Sequence, residues 1–140
     1  MGLPAVDINY LAVLVAGIVS FVIGGLWYSP ILFGNVWVKL SKFTKKDMEA
    51  AQKKGMTKLY IIQFIVSLLM ACILAHFAAY LTAETFIDSL QLAIWSWLGF
   101  IVPVQIGSVL WECRPVKLFL INTSHYLVAL IIMVAIIVAW

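Results

Sequence analysis

The sequence predicts an all-α integral membrane protein: four transmembrane helices in an antiparallel up-down bundle, with a short cytoplasmic interfacial helix. Three observations predict it. Of the 140 residues, 65% are hydrophobic and only 11% are charged, more apolar surface than a soluble domain of this size can hide. Four windows are long enough to cross a hydrocarbon core, which takes about 20 mostly apolar residues. All nine Lys and Arg residues fall in two of the connecting segments, the asymmetry that orients spans across a membrane.

The first window, residues 8–27, belongs to a stretch without charge between Asp7 and Lys39. The other three cover residues 59–82, 89–111 and 118–140, bounded by Lys58, Glu84, Asp88, Glu112 and Lys117. The whole chain, 1–140, reads as one transmembrane domain, with 28–58 as its cytoplasmic loop. The residues before Tyr10 carry Asp7 and no basic side chain. A signal peptide needs a basic start, so no cleavage is expected. The two later connections are tight, which makes sequential helices antiparallel neighbours.

After the first window the chain reads Trp27-Tyr28-Ser29-Pro30-Ile31-Leu32-Phe33-Gly34-Asn35-Val36-Trp37. Amphipathic rings sit best at headgroup level, so Trp27, Tyr28 and Trp37 mark a membrane–water boundary. Ser29 before Pro30 is a helix start signal, the serine as cap and the proline as first residue. From Pro30, Phe33 and Trp37 share a face with Val36 and Leu40, as in a helix lying on the membrane surface. Downstream, Thr44 and Asp47 have capping-box-like spacing. They predict a second short helix, Lys45–Lys54, closed by Gly55.

Seven basic residues follow the corner and two, Arg114 and Lys117, lie in the third loop. With four spans these loops share a side, so the positive-inside rule places both in the cytoplasm and both termini outside. The lysine-rich loop is expected to rest on anionic headgroups of the bilayer, and no nucleic acid is expected as a partner. Cys72 and Cys113 form no CxxC pair, and no metal or other cofactor is expected.

Within a bilayer, helices associate through small residues that let backbones approach. Span one has Ala12, Ala16, Ser20 and Gly24 at four-residue spacing, and span two has Ser67, Ala71, Ala75 and Ala79. These stripes are expected to pair with each other, self-association of a second copy being the competing use. Span three has Gln91, Trp95, Gly99, Pro103, Gly107 and Trp111 in one row, and Pro103 should kink it.

The only ionisable groups deep in the spans are His76 and His125. A proton-coupled antiporter of this size, such as the small multidrug-resistance transporters, depends on an embedded carboxylate, and none is present. At about 1.5 Å per residue, His125 lies roughly 12 Å in and His76 roughly 27 Å, too far apart to share a metal. His125 has Asn122 one turn earlier and Gln105 and Ser20 at similar depth. The four form a candidate buried polar cluster, structural or substrate-handling. No catalytic residue is indicated, because no nucleophile–base pair or metal cluster is visible.

Two stretches resemble a family of small membrane proteins, domain of unknown function 1761. One is Gly25-Leu26-Trp27-Tyr28-Ser29-Pro30-Ile31-Leu32-Phe33-Gly34 followed by Trp37, and the other is Arg114-Pro115-Val116-Lys117-Leu118-Phe119-Leu120-Ile121-Asn122. Phe43-Thr44 with Asp47-Met48 resembles the family's cytoplasmic segment. The final span departs from the pattern, with Ser124-His125-Tyr126 where a Tyr-His order follows the asparagine. The resemblance implies a four-span protein of the prokaryotic cytoplasmic membrane and implies no activity. Three functions stay open: a structural or accessory protein that oligomerises or joins a larger complex; a small oligomeric transporter or channel for a neutral or weakly polar solute; and, with least support, a membrane enzyme acting on lipid or quinone.

Overall fold

The computed structural model describes residues 2–140; residue 1 lies outside the described residues. Among them the regular structure is helical, without strands. α1 spans Tyr10–Trp27, α2 Gly34–Leu40, α3 Lys45–Lys53 and α4 Met56–Tyr80. The third crossing is broken into α5 (Phe86–Ser96), a π-helical turn (Trp97–Ile101), α6 (Val102–Gln105) and α7 (Gly107–Leu110). α8 spans Val116–Ala139. By length and composition α1, α4, the segment Phe86–Leu110 and α8 can each cross a membrane.

The helices start where backbone donors are satisfied rather than where charge stops. Asn9 caps α1, its side chain accepting from the N–H groups of Leu11 and Ala12. Thr44 and Asp47 form a complete capping box at α3, and the same hydrogen bonds hold the Asp47 carboxyl below its usual range. A second box, Thr85 with Asp88, starts α5 three residues before the expected boundary at 89. α4 likewise begins at Met56 instead of 59, directly after Gly55, whose φ of +89° suits glycine. α4 ends in a Schellman arrangement: Ala83 N–H donates to Ala78 and Thr82 N–H to Ala79. Thr82 occupies the left-handed position at φ +51°, where a β-branched residue is strained.

α8 is the hub. It packs against α1, α4 and α5, and it is the most buried of the four crossings, whereas the third is the least. Its Ala129, Leu130, Met133 and Val134 meet Val13 and Ala16 of α1, Ala71, Leu74, Ala75 and Ala78 of α4, and Leu92 and Ala93 of α5. α1 and α4, which carry the two small-residue stripes, pack against each other. Ala12, Ala16, Ser20, Ser67, Ala71 and Ala75 are all buried, while Ala79 is half-buried. Gly24 departs from this pattern. A Cβ there would point at His125 of α8, 3.4 Å from Nε2. A tight contact of α1 with α4 is found at Gly17, where a Cβ would stand 2.6 Å from Leu68 Cδ2. Gly17 lies off the four-residue row, which is why the spacing does not reveal it.

Pro103 interrupts the third crossing as expected. Proline supplies no N–H to the preceding turn, and the π turn ends just before it. The row Gln91, Trp95, Gly99 and Pro103 faces outward, with Trp95 70% exposed, so the break shapes an outer face instead of opening a cavity through the helix.

Candidate functional site

The surface-helix reading of the corner needs correction at its start. Ser29 does not cap a helix beginning at Pro30; α2 begins at Gly34. The Ser29 hydroxyl instead donates back to the Leu26 carbonyl at 2.7 Å, closing the end of α1. The Ser29 carbonyl then accepts from Leu32 N–H (3.1 Å) and Gly34 N–H (2.9 Å). Pro30 is thus the second residue of a tight turn, a position that suits its fixed φ equally well. The turn brings the start of α2 back against Tyr28 and Ser29 so closely that Gly34 is required: a Cβ would collide with the Tyr28 carbonyl oxygen and stand 2.6 Å from Ser29 C.

This geometry aims the corner's rings at α8. Trp27 Nε1–H donates to the Ile121 carbonyl at 3.0 Å, and the Tyr28 hydroxyl donates to Asn122 Oδ1 at 2.7 Å. From the opposite side Trp97 Nε1–H donates to the Thr123 carbonyl at 2.7 Å. Three consecutive residues of α8 therefore each take one aromatic donor. A helical carbonyl has a second lone pair for such a bond. Phe33 lies against Trp27 (centroids 4.8 Å apart) and Trp37 against Tyr28 (5.7 Å) and Phe43 (5.4 Å). Arg114 of the third loop donates to the Ser41 carbonyl at 3.4 Å, joining the two basic loops.

The hydrogen-bonded cluster expected around His125 is not formed. Asn122 is half-buried and its oxygen is taken by Tyr28. Gln105 sits on α6, beyond the π turn, where its carbonyl accepts from the Ser108 hydroxyl. The π turn changes the phase of the third span, a rotation that four-residue counting cannot anticipate. His125 itself is 8% exposed, and neither of its ring nitrogens has a hydrogen-bond partner among the described residues. It is framed by rings: Tyr126 at 4.8 Å, Tyr28 at 5.3 Å and Trp27 at 6.2 Å. His76 is separately satisfied, its Nδ1 donating to the Cys72 carbonyl at 2.8 Å.

His125 and Ser20 do meet in one place. They line a cavity of about 340 Å³ between α1, α4 and α8, together with Gly24, Tyr28, Gln63 and Tyr126. Its outer lining residues Gly25, Tyr60, Gln63 and Val66 are exposed, so it opens sideways, where a bilayer would surround the bundle. No Lys, Arg, Asp or Glu lines it. Of the sequence candidates, then, the structure gathers His125, Ser20, Gly24, Tyr28 and Ser67 at one site. Tyr60 and Gln63 had no motif to single them out, and Tyr126 was noted only for its place after His125.

Fold and site together define a four-span helical membrane protein with a sideways-opening, uncharged cavity beside a locked aromatic corner. The family model for proteins of unknown function DUF1761 matches residues 11–138. The chain belongs to that family. No curated protein matches the chain, and no solved structure does.

Proposed function

We propose that this protein binds a neutral or weakly polar molecule drawn from the bilayer and holds or passes it at the His125 cavity. The observation that carries this reading is a sideways-opening cavity with the buried His125 in its lining, a histidine whose ring nitrogens have no hydrogen-bond partner among the described residues. A buried unpaired donor or acceptor is unfavourable by about 1–3 kcal/mol, a cost that a bound polar group offsets. The absence of charged lining suits a neutral ligand. This is the solute-handling alternative of the sequence, moved from an oligomeric pore to a site within one chain.

The accessory reading, in which copies or partner proteins associate, rests on a different surface. The small-residue stripes are occupied within the chain. One surface open to a membrane partner is the outer face of the third crossing, where Trp95, Phe100 and Val104 are 70%, 65% and 76% exposed. The proposed setting is the prokaryotic cytoplasmic membrane, helices alternating in direction, the basic loops on anionic headgroups of the cytoplasmic side and both termini outside. The Arg114–Ser41 bond supports one side for both loops. Labelling of exposed Cys113 by an impermeant thiol reagent in intact cells would overturn the orientation.

Native mass spectrometry of the protein released from mild detergent tests the binding reading. A small-molecule adduct is expected on the wild type. It should be lost from Gly24→Leu, whose side chain runs into His125 across the cavity. No adduct, or the same adduct on both proteins, overturns it.

A further inference from the structure

The three helices around the cavity line it differently. α1 contributes Ser20, Gly24 and Gly25, small residues that leave it open, and a Cβ built at Gly25 meets nothing within 4 Å. α4 contributes Tyr60 and Gln63, and α8 contributes Tyr126. Both tyrosine rings are braced by neighbours. Phe21 meets Tyr60 edge-on, centroids 6.4 Å apart, and is itself held by Phe64 at 5.8 Å. His125 lies 4.8 Å from Tyr126.

The polar groups of the lining divide into spent and unspent ones. The Ser67 hydroxyl donates to the Gln63 backbone carbonyl at 3.0 Å, and the Tyr28 hydroxyl donates to Asn122. The hydroxyls of Ser20, Tyr60 and Tyr126 and the side-chain amide of Gln63 make no hydrogen bond among the described residues. Ser20 is 8% exposed. Gln63 follows Lys58 by five residues, about 8 Å into the span, where hydrocarbon offers an amide no partner. All four groups can donate, and they come from all three helices. A ligand with acceptors at two opposite edges meets donors on both the α4 side and the α8 side, whereas a lone ester carbonyl meets one side only. Aromatic rings in the lining favour a flat ring packed against them. A phosphate or carboxylate would find no cation here, and a cation no carboxylate.

Building on the binding reading above, we infer that the ligand is a membrane-dissolved para-quinone: a flat neutral ring with a carbonyl acceptor at each of two opposite edges and an apolar tail. One carbonyl accepts from Tyr60 or Gln63, and the other from Tyr126 or Ser20. The ring lies over Gly24 and Gly25, and the tail leaves through the sideways opening into lipid. His125 serves this contact as the brace of Tyr126, and its own nitrogens take no part.

The test uses the full chain in phosphatidylcholine nanodiscs and a decyl naphthoquinone carrying a ring azide as photoprobe. Two competitors without the azide are compared, decyl naphthoquinone and decylnaphthalene, which has the same rings and no carbonyls. Labelling that competitor removes should fall on peptides containing Tyr60, Gln63 or Tyr126. The quinone should compete at about tenfold lower concentration than the hydrocarbon, the effect of one to two hydrogen bonds. Tyr60→Phe and Tyr126→Phe keep the rings, and each should weaken the quinone about fivefold while leaving the hydrocarbon unchanged. Gly25→Leu, which has room for its side chain, should remove competed labelling altogether. Equal competition by the two compounds, or a quinone unaffected by both tyrosine changes, overturns the quinone while leaving a cavity that takes neutral molecules. Competed labelling that is absent from these peptides, or that persists in Gly25→Leu, overturns binding in the cavity as well.

Discussion

The two flanks of α8 are built by opposite means. On one flank α1 and α4 pack against each other as well as against α8, and Gly17 of α1 has Leu68 Cα of α4 only 3.3 Å from where a Cβ would stand. On the other flank α5 begins well, burying Leu92 and Ala93, and the crossing then loosens into a π turn and two short helices. There Gly99 has no neighbour within 4 Å of a built Cβ. The difference shows what holds helices together where water is absent. Lipid tails are as apolar as leucine, so an apolar side chain gains nothing by choosing a helix over lipid. Close approach decides, and only small residues permit it.

Glycine substitutions break the comparison most sharply. Gly34→Ala drives a methyl group into the backbone of Tyr28 and Ser29, which cannot step aside as a side chain could. It should lower thermal stability in detergent by about 3 kcal/mol or more, whereas Gly99→Ala should change it by less than about 0.5 kcal/mol. Next in size is Gly17→Leu. Overpacking of the α1–α4 contact should remove about 1–3 kcal/mol, and melting curves that match those of Gly99→Leu would show that the tight flank is not tight.

The aromatic donors sharpen it further. Trp27→Phe and Trp97→Phe each lose one hydrogen bond to α8, worth about 1 kcal/mol. Trp95→Phe, on an exposed ring, should fall within about 0.5 kcal/mol of the wild type by the same melting assay. A loss at Trp95 equal to that at Trp27 would mean that the third crossing contacts something on its outer face. The smallest effect is a gain. Thr82→Gly relieves the left-handed strain at the end of α4, offset by the greater flexibility of glycine in the unfolded chain. Chemical denaturation should show the variant more stable by about 0.5 kcal/mol; a destabilised variant would mean that the Thr82 hydroxyl's bond to the Leu81 carbonyl outweighs the strain.

The four crossings were legible because length and hydrophobicity decide them, and their boundaries slipped by two or three residues because caps decide those. Thr85 and Asp88 show the mechanism: a charged residue that ends a hydropathy window can begin a helix. The stripes were legible as spacing, and Gly17 was hidden because a close approach depends on crossing angle as well as period. The corner was recognised by its residues and misread in its direction. Ser29 can cap forward or bond backward, and the turn through Gly34 chooses between them. Around His125 the sequence named hydrogen-bond partners that the structure engages elsewhere. Asn122 went to Tyr28, a long-range bond, and Gln105 was carried away by a phase change that no local pattern announces.

The Tyr28–Asn122 bond also sets a schedule for the growing chain. Its two ends are 94 residues apart, and at about 5–20 residues per second the ribosome needs roughly 5–20 s to make the second after the first. Throughout that interval the first crossing is inserted, while the acceptors for Trp27 and Tyr28 have not yet been synthesised. A bare hydroxyl or indole N–H in hydrocarbon would be costly, but at the headgroup level water and lipid oxygens satisfy both. Rings at ease on either side of that boundary are therefore fitting donors for a lock whose keyhole arrives last. Assembly completes from the corner inward once α8 enters, so a nascent chain stopped before residue 116 should carry a solvent-accessible Trp27, and release of the full chain should bury it.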